Sequence, residues 1–401
     1  MTTKKQTIKL GIFGLGTVGT GLVELLHTNA PVLHNANINF EITQIVVHNL
    51  SKQRAPITHG LPISIDSTTI LTNPAIQIVV EAMGTIEPAK TYISAALNAG
   101  KHVVTANKDL LAKHGPELIA LAQQNKVNLY YEASVAGGIP ILQTLTNSYA
   151  SDQVTQIVGV LNGTANYILS QMGTNHLSYA AALQQAQKLG FAESNPAQDV
   201  EGIDSAYKLS ILARLVFGTA VQISEFPIKG ITAVTATDLQ LANELGFKIK
   251  LLAISRYTQN GLALTVAPTL VAQGTLLANV DNENNGINIT SAALGNSFLA
   301  GKGAGALPTA QSLTNDLLQI ARNINTTSPE LPINTPNNVP LIPVTPVQRY
   351  FIRTIAPLKD ANAVQRLTAD RRGVITTPLS VAQLDALAQT NEIIVQYPIL
   401  E

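Results

Sequence analysis

The sequence predicts an α/β chain: a doubly wound parallel sheet, then an α+β region with a mixed sheet, then a small α+β unit at the end. Three observations carry this. Short apolar runs alternate with helical patterns through about residue 145, the rhythm of βαβ units. A glycine cluster, Gly14-x-Gly16-x-x-Gly19, stands between the first apolar run and the first helical pattern. After residue 150 or so the texture changes, and two long apolar runs flank an Asn260-Gly261 pair, a hairpin signal that implies antiparallel strands.

In order, IKLGIFGLGTVGTGLVELL (8–26) reads as strand, tight turn and helix. The spacing is that of a dinucleotide site: glycines for the turn, for close approach of backbone to pyrophosphate and for helix-on-strand packing, with free helix N–H groups facing the phosphates. The turn Gly14, Leu15, Gly16, Thr17, Val18 and Gly19 is therefore the expected cofactor contact. The next strand (40–49) ends at His48 and Asn49, where an NAD site places an acid, and Lys52 and Arg54 follow. NADP is the expectation, with NAD as the alternative. A buried strand (76–84) leads to Thr85, a further cofactor contact, and a helix (88–100) closes at Gly100. Strand 101–106 ends in Asn107-Lys108, which places Lys108 at the carboxyl edge of the sheet, where ligands bind. The last strand of this region runs into Glu132 and a glycine-kinked turn, a carboxylate followed by exposed carbonyls that suits a hard cation.

QIVGVLNGTANYIL (156–169) then reads as strand, polar turn and helix start, and a helix over 178–190 is capped by Gly190. Strands 248–257 and 262–270 form the hairpin. A glycine-rich start at 301 precedes a helix opening at Pro308, expected to return over the nucleotide. Six prolines between Ser328 and Thr354 mark a linker, and 347–401 reads as a β-α-β-α-β unit.

Only 12% of the residues are charged, yet residues 189–208 hold Glu193, Asp199, Glu201, Asp204 and Lys208. Asp204 and Lys208 share a helix face at i,i+4 spacing. The next segment (209–217) is apolar nearly all round, so these charges enter a buried helix and need a partner or a ligand. Twenty-five basic residues balance twenty-five acidic ones, which argues against a nucleic-acid or membrane partner. The chain has no cysteine, which excludes disulfides, thiolate metal sites and any thiohemiacetal route on an aldehyde. Lys4 and Lys5 precede only a short apolar run, unlike an export signal, so a cytoplasmic location is the expectation.

The motifs GLGTVG (14–19), TANK (105–108), YEASVAGGIPI (131–141), NGTANYIL (162–169), LGFAESNPAQDVEGIDSAYKL (189–209) and GAGALPTA (303–310) together resemble the homoserine dehydrogenase family. That resemblance implies reduction of L-aspartate 4-semialdehyde to L-homoserine with NAD(P)H, on the route to threonine, methionine and isoleucine. It implies Lys208 as proton donor with Asp204 orienting it, and Lys108 beside the nicotinamide and the reacting oxygen. It places Glu193 on the substrate ammonium and Thr164 at a substrate contact; Asp199 is grouped with them as a supporting carboxylate. Glu132 with the carbonyls of Val135, Gly137 and Ile139 matches a sodium site, and Gly303 a cofactor contact. The chemistry agrees, because hydride delivery to an aldehyde creates an alkoxide that needs a positioned acid or cation.

The expected organisation is a dinucleotide-binding domain over 1–145 completed by helix 301–324, a substrate-binding and dimerisation domain over 146–300, a linker over 325–346 and an ACT-like tail over 347–401. The partners expected are a small-molecule substrate and a second copy of the chain. The tail lacks the Asp-x-Pro-Gly turn usual after the first ACT strand, having Ala356-Pro357-Leu358-Lys359, and reads as one strand short. The competing readings are a reductase of another small carbonyl or imino acid and a catalytically silent amino-acid sensor; Lys108, Glu193, Asp204 and Lys208 all being present disfavours the second.

Overall fold

The computed structural model describes residues 6–324, 339–343 and 347–400. The proline-rich stretch at 325–346 lies outside the described residues apart from 339–343. The chain begins with β1 (Gln6–Phe13), α1 (Thr17–Thr28), α2 (Ala30–Asn35), β2 (Ile38–Val46), β3 (Ile63–Ser64), α3 (Thr68–Leu71), β4 (Ile78–Glu81), α4 (Ala89–Asn98), β5 (His102–Thr105), α5 (Lys108–Gln124), β6 (Leu129–Tyr130) and α6 (Ile141–Gln143). It continues with β7 (Val154–Val160), α7 (Gly163–Thr174), α8 (Tyr179–Lys188), α9 (Ala197–Val200), α10 (Ile203–Phe217), α11 (Ala236–Glu244), β8 (Phe247–Thr258), β9 (Gly261–Ala272), β10 (Asn284–Ser291) and β11 (Gly295–Lys302). It closes with α12 (Ala306–Asn323), β12 (Tyr350–Thr354), β13 (Val364–Leu367), β14 (Gly373–Thr376), α13 (Val381–Thr390) and β15 (Ile393–Pro398).

The described residues form two compact units, one of residues 6–151, 214–216 and 302–324, the other of 152–213, 217–301, 339–343 and 347–400. The first holds a parallel sheet in the order β3-β2-β1-β4-β5-β6, the doubly wound order with its switch point between β1 and β4. Ile8, Leu10 and Ile12 on one face of β1 and Phe13 on the other are wholly buried, as a strand covered on both faces requires. Leu22, Val23, Leu25 and Leu26 of α1 pack over Ile8, Leu10 and Ile12 together with Leu313, Leu317 and Ile320 of α12. Helix α12 opens at Ala306 with Gly305 before it, two residues ahead of the Pro308 start expected.

The second unit holds a five-stranded sheet in the order β11-β10-β7-β8-β9, in which β10–β7, β7–β8 and β8–β9 are antiparallel. Parallel pairing enters it as single bridges to β9 from Ile228, Leu341 and Ile399. In the β8–β9 hairpin Thr258 faces Gly261, so the loop is Gln259-Asn260, and Gly261 opens β9 at φ +143°. The tail carries four strands rather than three, ordered β13-β14-β12-β15. The helix expected after β12 is only a 3-10 turn at Ala361–Ala363, and Val364–Leu367 pairs with β14 instead. Asp360 Oδ1 accepts from Asn362 N at 2.9 Å, a side-chain turn that competes with helix here. The tail packs into its unit through Leu400 N, which donates to Leu270 O at 2.9 Å, and through Arg353 Nε, 2.5 Å from the wholly buried Asp238.

Candidate functional site

In the first unit β1 runs into Gly14 at φ +98°, a left-handed conformation open to glycine. The three glycines meet different demands. A Cβ on Gly14 would strike the Ala82 carbonyl, and one on Gly19 would strike the carbonyl of Gly14. Gly16 faces open space, which leaves its backbone exposed to a ligand. It is also the N-cap of α1, with no side-chain cap and no acid in the first turn, so the helix end is left for an anion. Gly14, Leu15, Gly16 and Thr85 line a cavity of about 770 Å³ with His48, Lys52 and Arg54. Thr17, Val18 and Gly19 form the first turn of α1 instead, and Lys108 and Gly303 are not among its lining residues. Arg54 is braced by its own loop, donating to the carbonyls of Leu50 at 3.0 Å, Lys52 at 2.9 Å and Asn49. The glycine cradle and the cavity size fit a dinucleotide.

A buried polar chain ties the strand ends together. Glu81, wholly buried at the end of β4, accepts from Thr105 Oγ1 at 2.5 Å and from Met83 N at 2.7 Å. Burial pushes its carboxyl up, against the pull of Thr105 and Met83. Thr105 in turn accepts from Asn107 N at 3.0 Å. Asn107 caps α5, accepting from Leu110 N at 3.1 Å, and donates to Thr85 O at 2.7 Å. Lys108 follows as the first residue of α5, half-buried, with Nζ 3.7 Å from Asp109 Oδ1.

The second unit brings Asp199, Asp204 and Lys208 of residues 189–208 together. α9 ends and α10 begins across Gly202, at φ +84°. On α10 Lys208 is 8% exposed and Asp204 5%, so the i,i+4 pair is an interior one. Lys208 Nζ donates to Asp204 Oδ2 at 2.8 Å and to Leu161 O at 2.6 Å. Asp199 joins through Asn162, whose Nδ2 lies 2.7 Å from Asp199 Oδ1 and 2.8 Å from Asp204 Oδ2. Thr164 is buried and donates its hydroxyl proton to Phe191 O at 2.5 Å, tying the start of α7 to the loop that carries Glu193. Glu193 is exposed, and its carbonyl accepts from Gln187 Nε2 at 3.1 Å. The Asn162-Gly163-Thr164 turn is legible in the sequence, but the role of Asn162 is not. Its only local signal was an Asn at a helix start.

Glu132 begins a 3-10 turn followed by Ala136 and Gly137, both left-handed at φ +56° and +53°. Its carboxylate accepts from Leu142 N at 2.8 Å and Gln143 N at 2.6 Å. Burial pushes it up to about 7, while the Gln143 and Leu142 amides pull it down. Gly137 O accepts from Ser312 Oγ at 2.6 Å and Ile139 O from Ile141 N at 2.8 Å. Asp316 of α12, missed by the sequence reading, is wholly buried and accepts from Glu132 N at 2.9 Å; burial and the Glu132 charge push it well up. Among the described residues no three His, Cys, Asp or Glu side chains gather as a metal site. One carboxylate with backbone carbonyls is an oxygen set for a hard cation, not a transition metal.

Comparison with known proteins agrees across both units. Residues 14–132 match the family described as homoserine dehydrogenase, NAD binding domain, and residues 140–318 that described as homoserine dehydrogenase. The chain is 38% identical over 320 residues to a homoserine dehydrogenase of Bacillus subtilis, covering 80% of this chain and 74% of that one. It is 36% identical over 387 residues to one of Neisseria gonorrhoeae, covering 96% and 86%. The crystal structure of a homoserine dehydrogenase from Thiobacillus denitrificans superposes with a TM-score of 0.91 at 33% identity, covering 99% of each chain.

Proposed function

The chain belongs to the homoserine dehydrogenase family, and from that premise we propose how its own residues divide the work of the reaction. The reaction is the reversible reduction of L-aspartate 4-semialdehyde to L-homoserine, with a nicotinamide cofactor bound by the glycine turn. The cofactor supplies the hydride. Reduction turns the aldehyde oxygen into an alkoxide, which needs a proton at once.

Lys208 donates that proton from Nζ. The observation that carries this is its buried ammonium, held on two sides by Asp204 Oδ2 and Leu161 O. An ammonium has three N–H donors, and the third is assigned to the substrate oxygen. Asp204 holds the charge and the aim, and Lys108 adds positive charge beside the reacting oxygen. Glu193 binds the substrate ammonium, with Asp199 and Thr164 completing the substrate contacts.

NADP is the preferred cofactor in this reading. No acid follows β2, and Lys52 and Arg54 line the cavity to meet a 2′-phosphate. Glu132 with the carbonyls of Val135, Gly137 and Ile139 holds a sodium ion that supports the loop; a cation there would relieve the burial of Glu132 and Asp316. The second unit binds substrate and forms a homodimer, and the tail is an ACT-like element packed on it. No described helix is long and apolar enough to cross a membrane, and a cytoplasmic location is part of this reading.

The test is homoserine-dependent reduction of NADP, compared with NAD at equal concentration. Faster turnover with NADP is expected. Faster oxidation of another hydroxy or amino acid, or a preference for NAD, would overturn the respective part of the reading.

A further inference from the structure

Asn162 uses every polar atom of its side chain, and each points to a different task. It is 5% exposed, at the N-cap of α7 directly after β7. Oδ1 accepts from Ala165 N at 2.7 Å, which caps the helix. Nδ2 donates to Asp199 Oδ1 and Asp204 Oδ2, at 2.7 and 2.8 Å. The amide orientation is settled by this set: exchanging O and N would face an oxygen to two carboxylates and an NH2 to a backbone N–H.

A cap alone does not need asparagine. Ser and Asp satisfy an N-cap about as well. Only an amide offers a cap acceptor together with two donors. Those donors meet two carboxylates that would otherwise repel one another and compete for one ammonium. With Asn162 present, Asp204 Oδ2 takes both the amide and Lys208 Nζ, while Asp199 Oδ1 is held on the amide. The neighbouring Leu161 carbonyl takes a second proton of the same ammonium.

The mount is stiff. Asn166, one turn along α7, donates to the carbonyls of Val280 at 2.9 Å and Asn282 at 2.8 Å. Lys250, 2% exposed, donates to Asn166 Oδ1 at 3.1 Å and to Val280 O at 2.5 Å. A Cβ on Gly163 would meet the Glu283 carbonyl, so the start of α7 is pressed against that loop.

We propose that Asn162 is the positioning residue of the proton donor: it holds the two carboxylates apart on its amide so that Asp204 Oδ2 pairs with Lys208 and aims it. This rests on the assignment of Lys208 made above. Asn162→Ser and Asn162→Asp each keep the cap and lose both amide donors. Turnover is measured per folded molecule, with the folded fraction counted by NADPH titration. The expected result is a fall in kcat of about 10- to 100-fold, the scale of a misplaced catalytic group. NADPH affinity should be unchanged, and the solvent deuterium isotope effect on kcat should rise as proton transfer becomes slower. A pure capping role would move neither kcat nor the isotope effect. Both variants turning over within about threefold of the parent, the scatter of a neutral substitution, would overturn the proposal. Lys208→Ala, run alongside, separates the two claims: a dead Lys208→Ala with a normal Asn162→Ser sinks only the role of Asn162, whereas a live Lys208→Ala sinks the donor assignment itself.

Discussion

Replacing Lys208 with Met tests whether the buried pair is both a structural and a catalytic unit. Met keeps most of the aliphatic stem and removes the ammonium. Asp204, with a side chain 7% exposed, then keeps Asn162 Nδ2 at 2.8 Å but loses the Lys208 ammonium. Breaking a buried ion pair from one side costs roughly 3–5 kcal/mol. The remaining amide donor puts the expected loss near the lower end, about 3 kcal/mol. With Lys208 in its proposed role as general acid, turnover should fall by about 10² to 10⁴. The double variant Asp204→Asn/Lys208→Met removes the stranded charge and leaves a neutral amide pair. It should regain at least about 2 kcal/mol over the single variant, since no buried charge is left without its counter-ion, and yet remain inactive. The assays are urea unfolding and homoserine-dependent NADP reduction on the same preparations. Two results would refute the reasoning. Stability of Lys208→Met within about 0.5 kcal/mol of the parent, as for a surface change, would mean the pair is not buried. Recovered turnover in the double variant would mean that Lys208 is not the donor.

Two other predictions concern the supporting structure. Arg353→Met leaves Asp238 wholly buried, still accepting from Thr235 N at 2.8 Å and Thr235 Oγ1 at 2.7 Å but without its cation, and should cost about 3–5 kcal/mol; hydrogen exchange should quicken first in β12 and β14, and unchanged exchange there would count against the tail being held by this pair. His102 is buried with Nδ1 accepting from Asn128 N at 3.0 Å, and desolvation lowers its pKa from the usual 6.5. The unfolded chain therefore takes up a proton near pH 6.5 that the folded one refuses, so stability should fall as pH drops below that value. In His102→Gln this part of the acid loss should vanish, as read from urea midpoints between pH 7 and 5.

Much of the chemistry was legible because it is local. The glycine turn needs only six consecutive residues, and Asp204 and Lys208 meet within one turn of helix. The alternation of the first unit follows from strand and helix periodicity, and the β8–β9 hairpin from its turn residues. What was missed lies across long stretches of chain. Asn162 reaches Asp199 and Asp204 over 37 and 42 residues, and Asp316 meets Glu132 N over 184. The tail shows the same limit in a strand: Val364–Leu367 takes its conformation from pairing with β14, which no local pattern specifies.

The sequence by itself determined the doubly wound frame, the anion-ready turn at Gly14–Gly19 and the shared helix face of Asp204 and Lys208, since each depends on spacing along the backbone. Only the tertiary structure decided that this face is interior, that Leu161 and Asn162 close around it, and that the amide of Asn162 joins Asp199 to the pair. Burial and hydrogen-bond partners are properties of what the rest of the chain brings near, and the same i,i+4 pair on a solvated surface would be a weak contact. Enclosed at the end of β7, it is an ion pair held by Leu161 and Asn162.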